Sequence, residues 1–127
     1  MAFKTVVVAG ASRGIGLAVA ELCVEQCSRL LAVSRTPAPV GEWLQADLSD
    51  LAGVQTVAEA VGAEPLDALL YMGGTWEEHA FTREYRFEDC TDEDITRVIG
   101  VNLVAPIRLV QALLPDLLTV TYTPSEA

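Results

Sequence analysis

The sequence predicts an open α/β sheet, its parallel strands covered by helices on both faces, with strand order 3-2-1-4-5. Three observations point there. Apolar runs and stretches of helical period follow one another in the order β-α-β-β-α-β-α-β, the pattern of a sheet wound with helices. The runs are continuously apolar, as strands buried on both faces are. Right-handed crossovers then set the strand order, and the chain leaves the first and fourth strands in opposite directions. Ligands in such sheets bind in the crevice at the C-terminal ends of those two strands.

Residues 3–9 form the first strand, centred on Thr5-Val6-Val7-Val8. A glycine turn follows, and Ile15, Ala18, Val19 and Leu22 carry the spacing of a helix over 15–27. Leu30-Leu31-Ala32-Val33 is the second strand, ending in Ser34-Arg35 before the loop Thr36-Pro37-Ala38-Pro39. Residues 43–46 read as a short third strand. Asp47-Leu48-Ser49-Asp50 leads into a helix running to Val61, with Gly62 as its stop. Residues 66–72 are the fourth strand, closed by Gly73-Gly74, and 75–89 have no clear period and read as a loop. Thr91 is an N-cap with Asp92, Glu93 and Asp94 in the first turn, where negative charge is favoured. Ile95, Val98, Ile99, Leu103, Ile107, Val110, Leu113 and Leu114 continue that helix, and Pro106 inside it predicts a bend. Residues 119–123 are the last strand of a single domain over 1–127.

The bulk properties narrow the function classes. A chain of 127 residues with 51% hydrophobic content has enough apolar mass for a core. Its net charge of −10 argues against nucleic acid, which needs basic clusters, and against anionic membrane surfaces. Three cysteines, Cys23, Cys27 and Cys90, contain no C-x-x-C pair and read as reduced thiols, with Cys23 and Cys27 four apart on the first helix. His79 beside Glu77 and Glu78 is one histidine in a polar loop, so no metal is expected. The sequence shows no signal-peptide pattern and no apolar run long enough to span a membrane, so a cytoplasmic protein is expected.

The most informative stretch is Gly10-Ala11-Ser12-Arg13-Gly14-Ile15-Gly16. Strand, glycine turn and helix start are the three parts of a phosphate cradle, because glycines let the backbone approach a ligand and the helix start offers unpaired N–H groups. The G-x-x-x-G-x-G spacing differs from G-x-G-x-x-G, and it resembles the cofactor loop of the short-chain dehydrogenases/reductases. Ala9 stands where that family has Thr. The resemblance implies a Rossmann-like NAD(P)-binding domain, with Gly10, Ser12, Arg13, Gly14, Ile15 and Gly16 at the cofactor. At the end of the second strand an acid favours NAD and an arginine accommodates a 2′-phosphate. Ser34-Arg35 stands there, and Arg13 lies within reach, so NADP(H) is favoured over NAD(H); the alternative is two solvated surface arginines. Asp47-Leu48 resembles the family's adenine-contacting Asp, or Asp47 is instead a helix N-cap. Tyr71-Met72-Gly73-Gly74 stands in place of the family's Asn-x-Ala-Gly, with Gly73 and Gly74 at the cofactor. Val101-Asn102-Leu103 resembles the motif carrying the Asn of the catalytic tetrad; Asn102 either fills that role or bonds within its own helix.

The family's reaction also uses a Tyr followed four residues later by Lys, and a Ser. The single lysine here is Lys4, so no Tyr-x-x-x-Lys exists, and Ser125 lies in surroundings unlike the family's. The resemblance covers residues 1–118, roughly the first half of a typical member, and the fold is expected to be truncated accordingly. Two readings follow. One is an NADP(H)-dependent oxidoreductase moving hydride between nicotinamide and a carbonyl or alcohol, represented by its cofactor half. The other is a non-catalytic dinucleotide-binding or oligomerisation module. In the family the helix beginning near Thr91 contributes to a dimer interface, so a homodimer or larger assembly is expected.

Overall fold

In the computed structural model, which describes residues 3–117 and the backbone of 120–122, five parallel strands form one sheet in the order β3-β2-β1-β4-β5. The elements are β1 (Phe3–Ala9), α1 (Gly14–Cys23), β2 (Cys27–Ser34), β3 (Glu42–Gln45), α2 (Leu51–Val61), β4 (Ala68–Tyr71), α3 (Asp92–Ile99), a π-helical turn (Gly100–Val104), α4 (Ala105–Leu113) and β5 (Val120–Tyr122). The expected strand order is thus the observed one. Parts of the expected last strand, residues 119 and 123, lie outside the described residues, as does Ser125.

Alternation along the central strands sends successive side chains to two different cores. Val7, Ala9, Leu31, Val33, Leu69 and Tyr71 pack on one face with Val54, Val57, Leu109 and Leu113 from α2 and α4. Val6, Val8, Leu30 and Ala32 pack on the other with Ala20 of α1. This double burial is why β1 reads as an unbroken apolar run. The register pairs Val8 with Ala32 on one side and Leu70 on the other, so β1 sits between β2 and β4 with its C-terminal end open to both loops.

The structure corrects four boundaries and assignments. Helix α1 stops at Cys23, a short 3₁₀ turn follows, and Cys27 already begins β2, opposite Phe3. Cys27 is therefore a buried strand residue rather than a helical neighbour of Cys23; burial pushes both thiols above the ordinary range. The predicted bend at Pro106 is a change of helical register over Gly100–Val104. The segment Asp92–Asp116 is also long and apolar enough to cross a membrane by length and composition alone, with a window of mean hydropathy 1.6, although the sequence shows no uninterrupted apolar run. Its inner stripe, including Leu109 and Leu113, packs on the sheet, while Ile95, Ile99, Leu103 and Ile107 on the outside are apolar too, which raises the average.

One glycine matters to this fold and carried no sequence signal. Gly53, in the first turn of α2, lies against the backbone of Asp47, and a Cβ there would sit 1.9 Å from the Asp47 carbonyl oxygen. Gly53→Ala is expected to lower stability by about 1–3 kcal/mol through overpacking, read as the urea midpoint of unfolding. Gly100→Ala is the control: its nearest neighbour is Ser49 Cβ at 4.0 Å, and the change leaves stability equal or raises it by up to about 1 kcal/mol. Equal behaviour of the two variants would contradict the packing account.

Candidate functional site

The site is assembled at the C-terminal ends of β1, β2 and β4, where three loops meet around a cleft of about 580 Å³. The first loop leaves β1 at Gly10. Its amide and that of Ala11 both donate to the Val33 carbonyl at the end of β2, at 2.8 and 3.3 Å. Gly10 has φ +87°, and a Cβ on it would lie 2.8 Å from the Gly73 amide nitrogen. Gly16 passes so close to the Gly10 carbonyl oxygen that a Cβ would fall 1.7 Å from it. These contacts seat α1 directly on the turn.

Gly14 is different. It has φ +59° with no atom within 4 Å of where a Cβ would be. The chain there opens onto the cleft, and its left-handed backbone favours glycine on conformational grounds. The first helical bond runs from the Leu17 N–H to the Arg13 carbonyl. The amides of Gly14, Ile15 and Gly16 precede that bond, so they belong to the free N-terminal turn that favours anions. Ser12, Arg13, Gly14, Ile15 and Gly16 all line the cleft.

The second wall is the end of β2 and the turn after β3. Ser34 is nearly buried and its hydroxyl donates to the Thr36 carbonyl at 2.6 Å, shaping the turn that exposes Arg35. Among the described residues neither Arg13 nor Arg35 makes an ion pair, while Arg29, Arg86 and Arg97 do. Two guanidinium groups outside any ion pair therefore line one cleft in an acidic chain. Asp47 and Leu48 complete this wall. Asp47 Oδ1 accepts from the amide (3.0 Å) and hydroxyl (2.6 Å) of Ser49, and these bonds, with the nearby Arg35 charge, hold its carboxyl below the ordinary range. It is not the N-cap of α2; Asp50 holds that position.

The third wall is Tyr71-Met72-Gly73-Gly74-Thr75 with the turn of helix that carries Asn102. Asn102 does not bond within its own helix alone. Its Oδ1 accepts from the Thr75 amide at 3.0 Å and its Nδ2 donates to the Thr75 carbonyl at 2.8 Å, gripping both main-chain polar groups of one residue. The Tyr71 hydroxyl donates to the Val101 carbonyl. Sequence reasoning missed Arg97, which lines the cleft, donates to Asp94 at 2.9 Å and to the Trp76 carbonyl at 3.0 Å. The readable signal was its i,i+3 spacing from a capping acid. Asp94 closes a capping box with Thr91. His79 lies in the exposed loop 3.7 Å from Glu78, and the described residues hold no group of three metal-ligating side chains.

A family model described as short chain dehydrogenase matches residues 4–122. Among curated proteins the chain is similar to the short chain dehydrogenase andC of Emericella variicolor, 32% identical over 123 residues, covering 88% of this chain and 46% of that protein. It is also similar to the short-chain dehydrogenase/reductase olcF of Penicillium canescens, 27% identical, with coverages of 90% and 46%. The chain spans about half the length of the curated relatives it matches. Its fold is that of a carbonyl reductase from Pseudomonas aeruginosa PAO1 in complex with NADP, with TM-score 0.78, 24% identity, and 94% of this chain on 60% of that one. A short-chain dehydrogenase/reductase from Burkholderia multivorans with bound NADP superposes with TM-score 0.76 at 17% identity, covering 96% of this chain and 58% of that one.

The wall built on Asp94 predicts a pH effect. Its hydrogen bond from Arg97, then the Thr91 amide, hold its carboxyl below the ordinary range. A depressed folded pKa contributes stability above the unfolded pKa and loses it as pH falls through the folded value. The parent's urea midpoint should therefore drop more steeply below about pH 4 than that of Asp94→Asn. Parallel curves would contradict the assignment.

Proposed function

The chain belongs to the short-chain dehydrogenase family, and on that footing we propose that it binds NADP(H) in the cleft at the ends of β1 and β4, as the cofactor half of an oxidoreductase. The observation that carries the proposal is the glycine cradle: Gly10 and Gly16 admit no side chain, and Gly14 opens onto space. The residues present fit a dinucleotide. The amides of Gly14, Ile15 and Gly16 face a pyrophosphate, and Arg13 and Arg35 face a 2′-phosphate, to which guanidinium binds in bidentate fashion. Asp47 accepts a hydrogen bond from the adenine amine, with Leu48 beside the ring. Gly73 and Gly74 leave room at the nicotinamide end, and Asn102 holds the adjoining peptide. When bound, NADP(H) supplies or accepts hydride at the nicotinamide ring, opposite a carbonyl or alcohol substrate.

Proton delivery in this family's reaction uses the Tyr and Lys of a Tyr-x-x-x-Lys, and these 127 residues contain only Lys4. The reading therefore assigns this chain cofactor binding and assigns general acid chemistry to groups outside it. A second reading, a dinucleotide-binding module without catalysis, is favoured by the same observation. Turnover of a carbonyl by the purified chain would overturn both.

Self-association belongs to the same proposal. Ile95, Ile99, Leu103 and Ile107, four residues apart, are all exposed on the long helix, and such a row is an interface signal. Sedimentation is expected to give a dimer or larger species, and Ile99→Asp with Leu103→Asp to give a monomer. A parent that sediments as a stable monomer would refute it.

For the cofactor, calorimetry on the parent and on Arg35→Asp decides the phosphate role. One charge-assisted contact is worth about 1.5–3 kcal/mol. Arg35→Asp is thus expected to lower the NADPH-to-NADH affinity ratio by about 10- to 100-fold. An unchanged ratio would show that Arg35 does not meet the 2′-phosphate.

A further inference from the structure

We propose that Tyr71 is a positioning residue: its hydroxyl holds the π-helical turn that carries Asn102, and its ring crowds the space a side chain at position 73 would take. The starting point is a hydrogen-bond deficit in the long helix. The Ala105 N–H donates to the Gly100 carbonyl, five residues back. In an α-helical register that N–H would have served the Val101 carbonyl. In the π register the Val101 carbonyl would be served by residue 106, which is proline and has no N–H. With the Ala105 N–H turned to Gly100 and proline at 106, neither residue supplies Val101 with a donor, and an acceptor left without its bond costs more than an ordinary hydrogen bond contributes.

Tyr71 answers that deficit from another element. Its side chain is 2% exposed at the end of β4, and its Oη donates to the Val101 carbonyl. A buried phenol itself needs a partner, so one bond satisfies a group on the strand and a group on the helix. Asn102 follows immediately and clamps Thr75. The end of β4 is thereby fastened at Tyr71 and again at Thr75. Met72, Gly73 and Gly74 are held between those two points, lining the cleft.

Gly73 completes the device. A Cβ there would lie 3.2 Å from both Cζ and Oη of Tyr71. The ring would have to give by a few tenths of an ångström, and its hydroxyl is the group bonded to Val101. The two departures from the Asn-x-Ala-Gly pattern are on this view linked: the larger ring at 71 favours the smaller residue at 73.

The consequence for ligand binding rests on the dinucleotide reading, so the test keeps the two apart. Amide hydrogen exchange is measured on the full chain for the parent, Tyr71→Phe, Gly73→Ala and the double variant, with α2 amides as the internal reference. Tyr71→Phe keeps the ring and removes the bond. Protection of amides 102–105 is expected to fall about 10-fold relative to α2. Gly73→Ala alone should loosen the same amides, and should add little in the Tyr71→Phe background, because both act on one contact. Unchanged protection in Tyr71→Phe, or additive effects, would overturn the proposal. Binding is read in parallel with NADPH and with adenosine 2′,5′-bisphosphate, which carries only the adenine end. Tyr71→Phe is expected to weaken NADPH about 10-fold and leave the bisphosphate unaffected. Equal weakening of both would overturn the positioning role. If the parent binds neither, the dinucleotide reading fails, and the exchange result alone decides the role of Tyr71.

Discussion

The structure depends on one constraint, the closeness of backbone to backbone where β1 hands the chain to α1. Gly10 lies against Gly73 at the end of β4, and Gly16 lies against the carbonyl of Gly10. No side chain fits at either place. A strand, a turn and a helix are thereby drawn together so tightly that the helix N-terminus points across the ends of two adjacent strands. That geometry makes the crevice, and it places unpaired N–H groups where an anion can meet them. The strand order puts β1 and β4 side by side, so the two glycine clusters, separate in sequence, become one floor.

Three arginines, Arg13, Arg35 and Arg97, line the cleft around that floor. The chain as a whole is strongly acidic, which disfavours anions in general. Arg13 and Arg35 line the cleft outside any ion pair among the described residues, with Arg35 close enough to Asp47 for its charge to act on that carboxyl. Arg97, by contrast, is tied to Asp94 and to the Trp76 carbonyl, so it braces the cleft instead of offering a charge. The opposite wall is built from neutral hydrogen bonds. Pro106 leaves a gap in the helical ladder, Tyr71 fills it, and Asn102 locks the neighbouring peptide. Arg13 and Arg35 thus come from the walls at the ends of β1 and β2, while the wall after β4 carries the Tyr71 and Asn102 hydrogen bonds and the Arg97–Asp94 pair.

The sequence revealed much of this because its signals are local. A run such as Val6-Val7-Val8 is apolar for the reason that both faces are buried, and Thr91 is the N-cap expected of it, to which the structure adds the reciprocal bond to Asp94. The glycine loop was legible because strand, turn and helix are contiguous. What escaped were contacts that no local sequence pattern announces. Gly53 looks like an ordinary glycine near a helix start, and only the approach of Asp47 explains it. Cys27 sits at helical spacing from Cys23, yet pairing with Phe3 makes it a strand residue. Tyr71 reads as a lost asparagine until the Val101 carbonyl, thirty residues away, supplies its purpose. Asp47 read first as an adenine contact, with a helix cap as the alternative; its bonds to Ser49 and the N-cap position of Asp50 set the cap aside.

The central claim is that the glycine-lined junction is where a phosphorylated dinucleotide sits. Amide chemical-shift mapping during an NADPH titration tests it most directly. The account predicts that the largest shifts fall on Ser12, Arg13, Gly14, Ile15 and Gly16, with a second group at Gly73, Gly74 and Thr75. Saturating NADPH that leaves those amides unmoved, or moves only amides far from the ends of β1 and β4, would contradict it.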